Sequence, residues 1–157
     1  MMGLIQTNQP APDFSLQAST GQDVSLADFR GKNIVLYFYP KDDTPGCTIE
    51  ACGFRDGFQK IESTGTLILG VSPDDEASHK KFIQKYNLPF LLLSDPESKV
   101  CERYGVWVEK TMYGRKYMGV ARTTFIIDRN GTIVRIFEKV KPEEHADEVA
   151  AFLKTLS

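Results

Sequence analysis

"NIVLYFYPKDDTPGCTIEACGFRD", residues 33–56, contains the change of pattern that decides the fold. Its first eight residues are β-branched and aromatic with no polar alternation, which suits a strand covered on both faces. Pro40 cannot donate to a ladder and ends that strand. Beyond "KDDTPG" the period changes. Cys47, Ala51, Phe54, Phe58 and Ile61 recur at spacings of three and four, the stripe of an amphipathic helix packed on a sheet.

The same alternation continues outward. "TLILGVS" (66–72) reads as a second buried strand, and "DDEASHKKFIQKYN" (74–87) as a helix that Asn87 terminates. "FLLLS" (90–94) is a third short strand. "DPESKVCERYG" (95–105) reads as a short helix with Asp95 as cap and Pro96 at its first position. Strand, helix, strand, helix implies parallel strands joined by right-handed crossovers. "VWVEKTMYGRKYMG" (106–119) is an excursion with its own turn. "TTFIID" and "TIVRIFEKV" flank "RNG" as a hairpin, and "PEEHADEVAAFLKTL" (142–156) closes the chain as a helix. Upstream, "DFSLQ", "STGQD" and "VSLADF" read as a hairpin followed by a turn of helix. The expected class is α/β: a central mixed sheet flanked by helices, parallel first and antiparallel last, with an N-terminal β-hairpin extension. With no repeat, low-complexity tract or linker, one domain over residues 1–157 is expected.

A formal charge of −2 gives no electrostatic reason to expect nucleic acid or an anionic membrane. No stretch approaches the roughly 18 apolar residues of a spanning helix, and "MMGLIQTNQPAPDF" lacks the basic start and apolar middle of a signal peptide. A cytoplasmic protein is expected. Three cysteines form an odd, sparse set, so in a reducing compartment their reactivity matters more than any stapling role.

Cys47 falls where a buried strand has ended and a helix begins. The N–H groups of a first helical turn lack intrahelical partners and, with the helix dipole, favour an anion. Helix N-termini and nearby cations bring cysteine pKa values from about 8.5 down to roughly 3.5–7.5, and the thiolate is the nucleophilic form. From spacing alone two readings stay open: a reactive thiol, or a small apolar residue heading the buried stripe. Cys52 lies five positions on. In an intact helix, Cα atoms at that separation stand roughly 8.6 Å apart and point about 140° apart, whereas a disulfide needs them within about 7 Å. The pair cannot bond while the segment is helical. The spacing also fails to match a zinc site, where ligands sit two to four residues apart and four are needed. His79 and His145, the only histidines, read as solvated residues on polar helical faces.

These residues resemble the peroxiredoxins, and within them the peroxiredoxin Q, or bacterioferritin comigratory protein, group. Pro40, Thr44 and Cys47 fit the PxxxTxxC pattern, and "TPGCTIEACGFRD" is close to the subgroup's wording. The resemblance runs on through "DFSL", "LADFRGKNIVLYFYPKDDTPGCT", "GVSPD", "LLLSDP", "YGVW", "YGRKYMG" and "RTTFIIDRNG", almost the whole chain. It implies a thioredoxin-like fold and reduction of hydrogen peroxide and organic hydroperoxides without metal, flavin or other cofactor. Position by position, it makes Cys47 the peroxidatic nucleophile and Thr44 a hydroxyl contacting the peroxide. Pro40 becomes a shield against solvent, Arg122 the active-site arginine and Cys52 the resolving cysteine. Glu50 and Arg55 receive a supporting polar role. From the residues alone, Arg122 reads as a surface arginine at a strand start.

The resemblance further implies a sulfenic acid at Cys47, condensation with Cys52 after residues 46–53 unwind, and reduction of that disulfide by thioredoxin, within a monomer. Gly46 and Gly53 weaken the helix at both ends of that stretch. Cys101 reads as a packing residue, although some family members carry the resolving cysteine on another helix. Two further readings compete. One is a redox sensor or thiol-disulfide oxidoreductase acting on proteins, against which the lack of a CxxC counts. The other is a thioredoxin-fold binding module in which the cysteines are incidental.

Overall fold

The computed structural model describes residues 5–156. The reading of the N-terminal segment, which starts at Met1, and the outer limits of the expected domain lie partly outside the described residues. The elements run β1 (Ser15–Ala18), β2 (Asp23–Ser25), β3 (Asn33–Phe38), α1 (Pro45–Asp56), α2 (Phe58–Glu62), β4 (Thr66–Ser72), α3 (Glu76–Tyr86) and β5 (Leu91–Ser94). Then come α4 (Lys99–Arg103), β6 (Trp107–Met112), β7 (Arg115–Val120), β8 (Thr123–Ile127), β9 (Ile133–Phe137) and α5 (Pro142–Leu153).

Seven strands form one mixed sheet in the order β2-β1-β5-β4-β3-β8-β9, and β6-β7 form a separate ribbon. Strands β3, β4 and β5 are parallel neighbours, as the βαβα pattern requires. Strands β8 and β9 add antiparallel partners at one side, and the β1–β2 hairpin adds to β5 antiparallel at the other. The expected N-terminal hairpin therefore extends the main sheet. β3 is buried along its length because its two faces enter different cores. Ile34, Leu36 and Phe38 pack with Val71, Tyr104 and Phe125, while Val35, Tyr37 and Tyr39 pack with Cys47, Phe54, Phe82 and Val149. Period-2 alternation thus puts the Cys47 helix on the second face only.

Local readings differ from the structure in three places. The expected single helix over 47–61 stops at Asp56, because Gly57 (φ −92°, ψ 7°) turns the chain into α2. The helix expected to start at Pro96 starts at Lys99, after Ser98 adopts φ +60°. Asp95 still serves its N-terminus, since its carboxylate accepts from the backbone N–H groups of Val100 (3.3 Å) and Cys101 (2.8 Å). The third difference concerns both histidines. His79 and His145 are fully buried, not solvated. The chain turns over the β6–β7 tip at Tyr113 and Gly114, both at positive φ (51° and 77°), as a two-residue primed turn requires. Among the described residues no helix is long and apolar enough to cross a membrane.

Candidate active site

Helix α1 opens at Pro45 with Thr44 as its N-cap, so Cys47 occupies the first turn. The sulfur is buried; the residue is 1% exposed. Across from it stands Arg122, the residue before β8. The pairing of Phe38 with Thr123 brings Arg122 level with the exit of β3, where Pro40 leads into the site loop. Arg122 Nη2 donates to Cys47 Sγ at 3.2 Å and Nη1 donates to Glu50 Oε1 at 2.7 Å. A Cβ on Gly46 would sit 3.1 Å from Arg122 Nη2, so a side chain here would make the guanidinium give by a few tenths of an ångström.

Glu50 lies one turn along α1 from Cys47 and its side chain is wholly buried. Burial raises its pKa to about 7, outweighing the opposite pull of Arg122's charge and hydrogen bond. Its second oxygen, Oε2, has no hydrogen-bond partner, and neither does the buried hydroxyl of Tyr37 on β3. Burial holds the Tyr37 pKa well above its usual value, with the charges of Glu50 and Cys47 adding to the effect. Burial opposes the charge of Arg122, yet Glu50 and Cys47 more than compensate and its pKa rises. Lys110 on β6 is within reach of the same field: burial first, then Arg122, lowers its pKa.

The loop that carries Pro40 and Thr44, both half-buried, is bolted to α3. Thr44 Oγ1 donates to the Lys41 carbonyl at 2.9 Å, which folds the loop back on itself while leaving the hydroxyl's lone pairs unspent. Asp42 is buried and accepts from the Tyr39 hydroxyl (2.5 Å) and the Ser78 hydroxyl (2.7 Å), and it faces His79 Nδ1 at 2.7 Å. Its backbone N–H donates to Asp74 at 2.7 Å. Asp43, at φ +56°, accepts from Lys85 and from the Tyr86 hydroxyl, which hold its carboxyl below the usual range. Asp42, Asp74 and His79 place ligand-type atoms within 4.8 Å of one another. Those atoms already bond to Tyr39, Ser72, Ser78 and Leu93, so the cluster reads as a hydrogen-bonded lock and not as a metal site.

Cys52 is half-buried farther along α1, and all three cysteines are free. Its neighbour Arg55 bonds Asp56 and the Tyr86 carbonyl, so it ties α1 to the end of α3 and stays apart from the Arg122–Glu50 pair. Cys101 is fully buried, and burial pushes its thiol pKa far up. It packs in the core on the opposite face of the sheet from Cys47.

The structure thus brings Cys47, Arg122 and Glu50 into direct contact and sets Thr44 and Pro40 in the adjoining loop. The sequence reading missed Tyr37, Asp42 and His79. His79 precedes Phe82 by three positions and Tyr86 by seven, and His145 precedes Val149 by four and Leu153 by eight. Both histidines lie on the apolar stripes of their helices, a signal that would have placed them inside.

Residues 7–136 match the AhpC/TSA family. A bcp protein of Coxiella burnetii is 52% identical over 149 residues, covering 95% of this chain and 99% of its own. Peroxiredoxin Bcp of Bacillus subtilis is 48% identical over 153 residues, 98% of either chain. Xanthomonas campestris bacterioferritin comigratory protein, solved in trapped intermediate and ligand complexes that concern its alkyl peroxide reduction, superposes with a TM-score of 0.87. It shares 39% identity and covers 91% of each chain. The thioredoxin-like fold expected from the sequence is the fold of this chain.

Proposed function

This chain belongs to the AhpC/TSA family as a peroxiredoxin, and from that premise we propose that Cys47 is the nucleophile of its thiol-dependent peroxidase reaction. The observation that carries the reading is the 3.2 Å hydrogen bond from Arg122 Nη2 to Cys47 Sγ, made in the first turn of α1. Sulfur attacks one peroxide oxygen in line while the other leaves with the electron pair. Arg122 offers a permanent charge and planar donors, serving the thiolate before attack and the oxygens during it. Thr44 contributes a hydroxyl beside the peroxide, and Pro40 limits water at the mouth of the site. The substrates are hydrogen peroxide and organic hydroperoxides, the latter in keeping with the alkyl peroxide activity associated with the Xanthomonas relative.

Attack leaves a sulfenic acid on Cys47, which condenses with the Cys52 thiol to a disulfide and water. Both residues sit on one intact helix, so residues 46–53 unwind to let the sulfurs meet. The opposite-face burial of Cys101 supports Cys52 as the resolver. Thioredoxin then reduces the disulfide. One domain over residues 1–157, acting as a monomer in the cytoplasm, suffices for this cycle, because resolution stays within the chain. Steady-state turnover with thioredoxin is the test. Cys47→Ser should abolish peroxide consumption, and Cys52→Ser should keep a single stoichiometric turnover and lose the rest. Unchanged turnover in Cys52→Ser would remove it as resolver.

A further inference from the structure

We infer that Glu50 is the proton-exchanging partner of Cys47: acting through Arg122, its carboxyl holds a proton while the sulfur is ionised and releases it when the sulfur is oxidised. This rests on the reading of Cys47 as the peroxide-reactive thiol.

Arg122 carries one positive charge and divides its two terminal nitrogens between two acidic groups, Glu50 at 2.7 Å and Cys47 at 3.2 Å. Both groups are 1% exposed. Ionising both would leave two anions sharing one guanidinium in a buried site, which is costly. One of the two therefore keeps its proton. In the reactive state the sulfur is ionised, so the proton belongs to the carboxyl.

The surroundings of Glu50 fit a group that is neutral part of the time. Its Oε2 accepts nothing, although an ionised carboxylate oxygen buried without a donor is expensive. Tyr37, the titratable group beside it on β3, also lacks a hydrogen-bond partner for its hydroxyl. Lys110 on β6, which also feels the charge of Cys47, and His145 on α5 lie in the field of Arg122. Burial puts the Glu50 pKa at about 7, where a modest change in nearby charge moves its proton.

The oxidation step supplies that change. Glu50–COOH, Cys47–S⁻ and ROOH become Glu50–COO⁻, Cys47–SOH and ROH. The S–O bond forms as the O–O bond breaks, sulfur loses two electrons to the peroxide, and the leaving oxygen takes up one proton. The negative charge passes from sulfur to carboxylate across the same guanidinium, and the net charge of the site is unchanged. Glu50 acts through Arg122 and is a positioning residue, with the added property of titrating in step with the chemistry.

The test is an oxidised-minus-reduced infrared difference spectrum at pH 7.5, above the Glu50 value of about 7, taken on Cys52→Ser so that the reaction stops at sulfenic acid. Loss of a protonated-carboxyl C=O band is expected on oxidation, and that loss should be missing when Glu50→Gln is added. Gln keeps an oxygen for Arg122 Nη1 but carries no proton to release. Sulfenic acid formed without any carboxyl signal would overturn the inference alone. Failure of Cys47 to form sulfenic acid would overturn the nucleophile reading and this inference with it.

Discussion

Asp42 and His79, 37 positions apart in the chain, meet at 2.7 Å in a fully enclosed contact, and the other ring nitrogen of His79 faces the Leu93 carbonyl at 3.0 Å. The contact fixes the loop that bears Pro40 and Thr44 against α3. Asp42→Ala strips partners from His79, Tyr39 and Ser78 at once. It should lower stability by about 3 kcal/mol, the usual scale for breaking a buried pair, as read by urea denaturation. A change below about 0.5 kcal/mol, within the range of ordinary surface substitutions, would show that the lock holds nothing.

Arg122→Lys keeps the charge and loses the fork that reaches Sγ and Glu50 together. Loss of one well-aimed donor from a charge-developing site costs about a hundredfold or more in rate. The second-order rate constant for peroxide should fall on that scale, with folding intact by circular dichroism. A rate within twofold of the parent would reduce Arg122 to a surface arginine.

Gly53 packs its bare Cα side toward Ala146 of α5, and a Cβ there would meet that methyl at 3.5 Å, an ordinary contact. Gly53→Ala should therefore strengthen α1 by up to about 1 kcal/mol without a clash. If α1 must unwind for resolution, disulfide formation should slow by about fivefold and more Cys47 should pass on to sulfinic acid at high peroxide. Mass spectrometry of quenched samples separates the two products. Unchanged resolution would mean that unwinding does not limit that step.

Glu50 also shapes stability against pH. Its pKa rises on folding from the ordinary 4.5 to about 7. The folded state thus binds the proton more tightly, and the stabilisation present below pH 4.5 is lost as pH rises through 7. At about 1.4 kcal/mol per pH unit, the upper bound is about 3 kcal/mol. Glu50→Gln removes the charge, so its stability relative to the parent should grow from pH 5 to pH 8 in parallel urea titrations. A gap that is flat across that range would contradict the raised pKa.

The fold was legible because its signals are local and redundant. "NIVLYFYP" and "TLILGVS" are too apolar to be anything but interior strands, and both lie at the centre of the sheet. Asn87 ends its helix at φ +53°, as its place after the periodic run suggested. Boundaries set by a single backbone angle were not legible: nothing in "DPES" announces that Ser98 turns to φ +60° and delays α4. In the site, the cysteine segment declared itself, whereas its buried polar support did not. A histidine is polar on any hydropathy scale, so His79 and His145 read as solvated although both lie on apolar stripes; what periodicity does not supply is their partners, Asp42 and Thr124. Those partners lie 37 and 21 positions away and belong to other elements, beyond the reach of helical periodicity.

The measurement that bears most directly on the whole scheme is rapid-quench peptide mapping of the reduced protein after one equivalent of hydrogen peroxide. Free thiols are alkylated at each time point and the digest is run without reductant. Cys47 should lose its alkylation first, far faster than Cys52 or Cys101, and a Cys47–Cys52 linked peptide should follow as a second phase. Cys47 remaining alkylatable at the pace of an ordinary thiol, or appearing in a peptide linked to Cys101, would contradict the scheme.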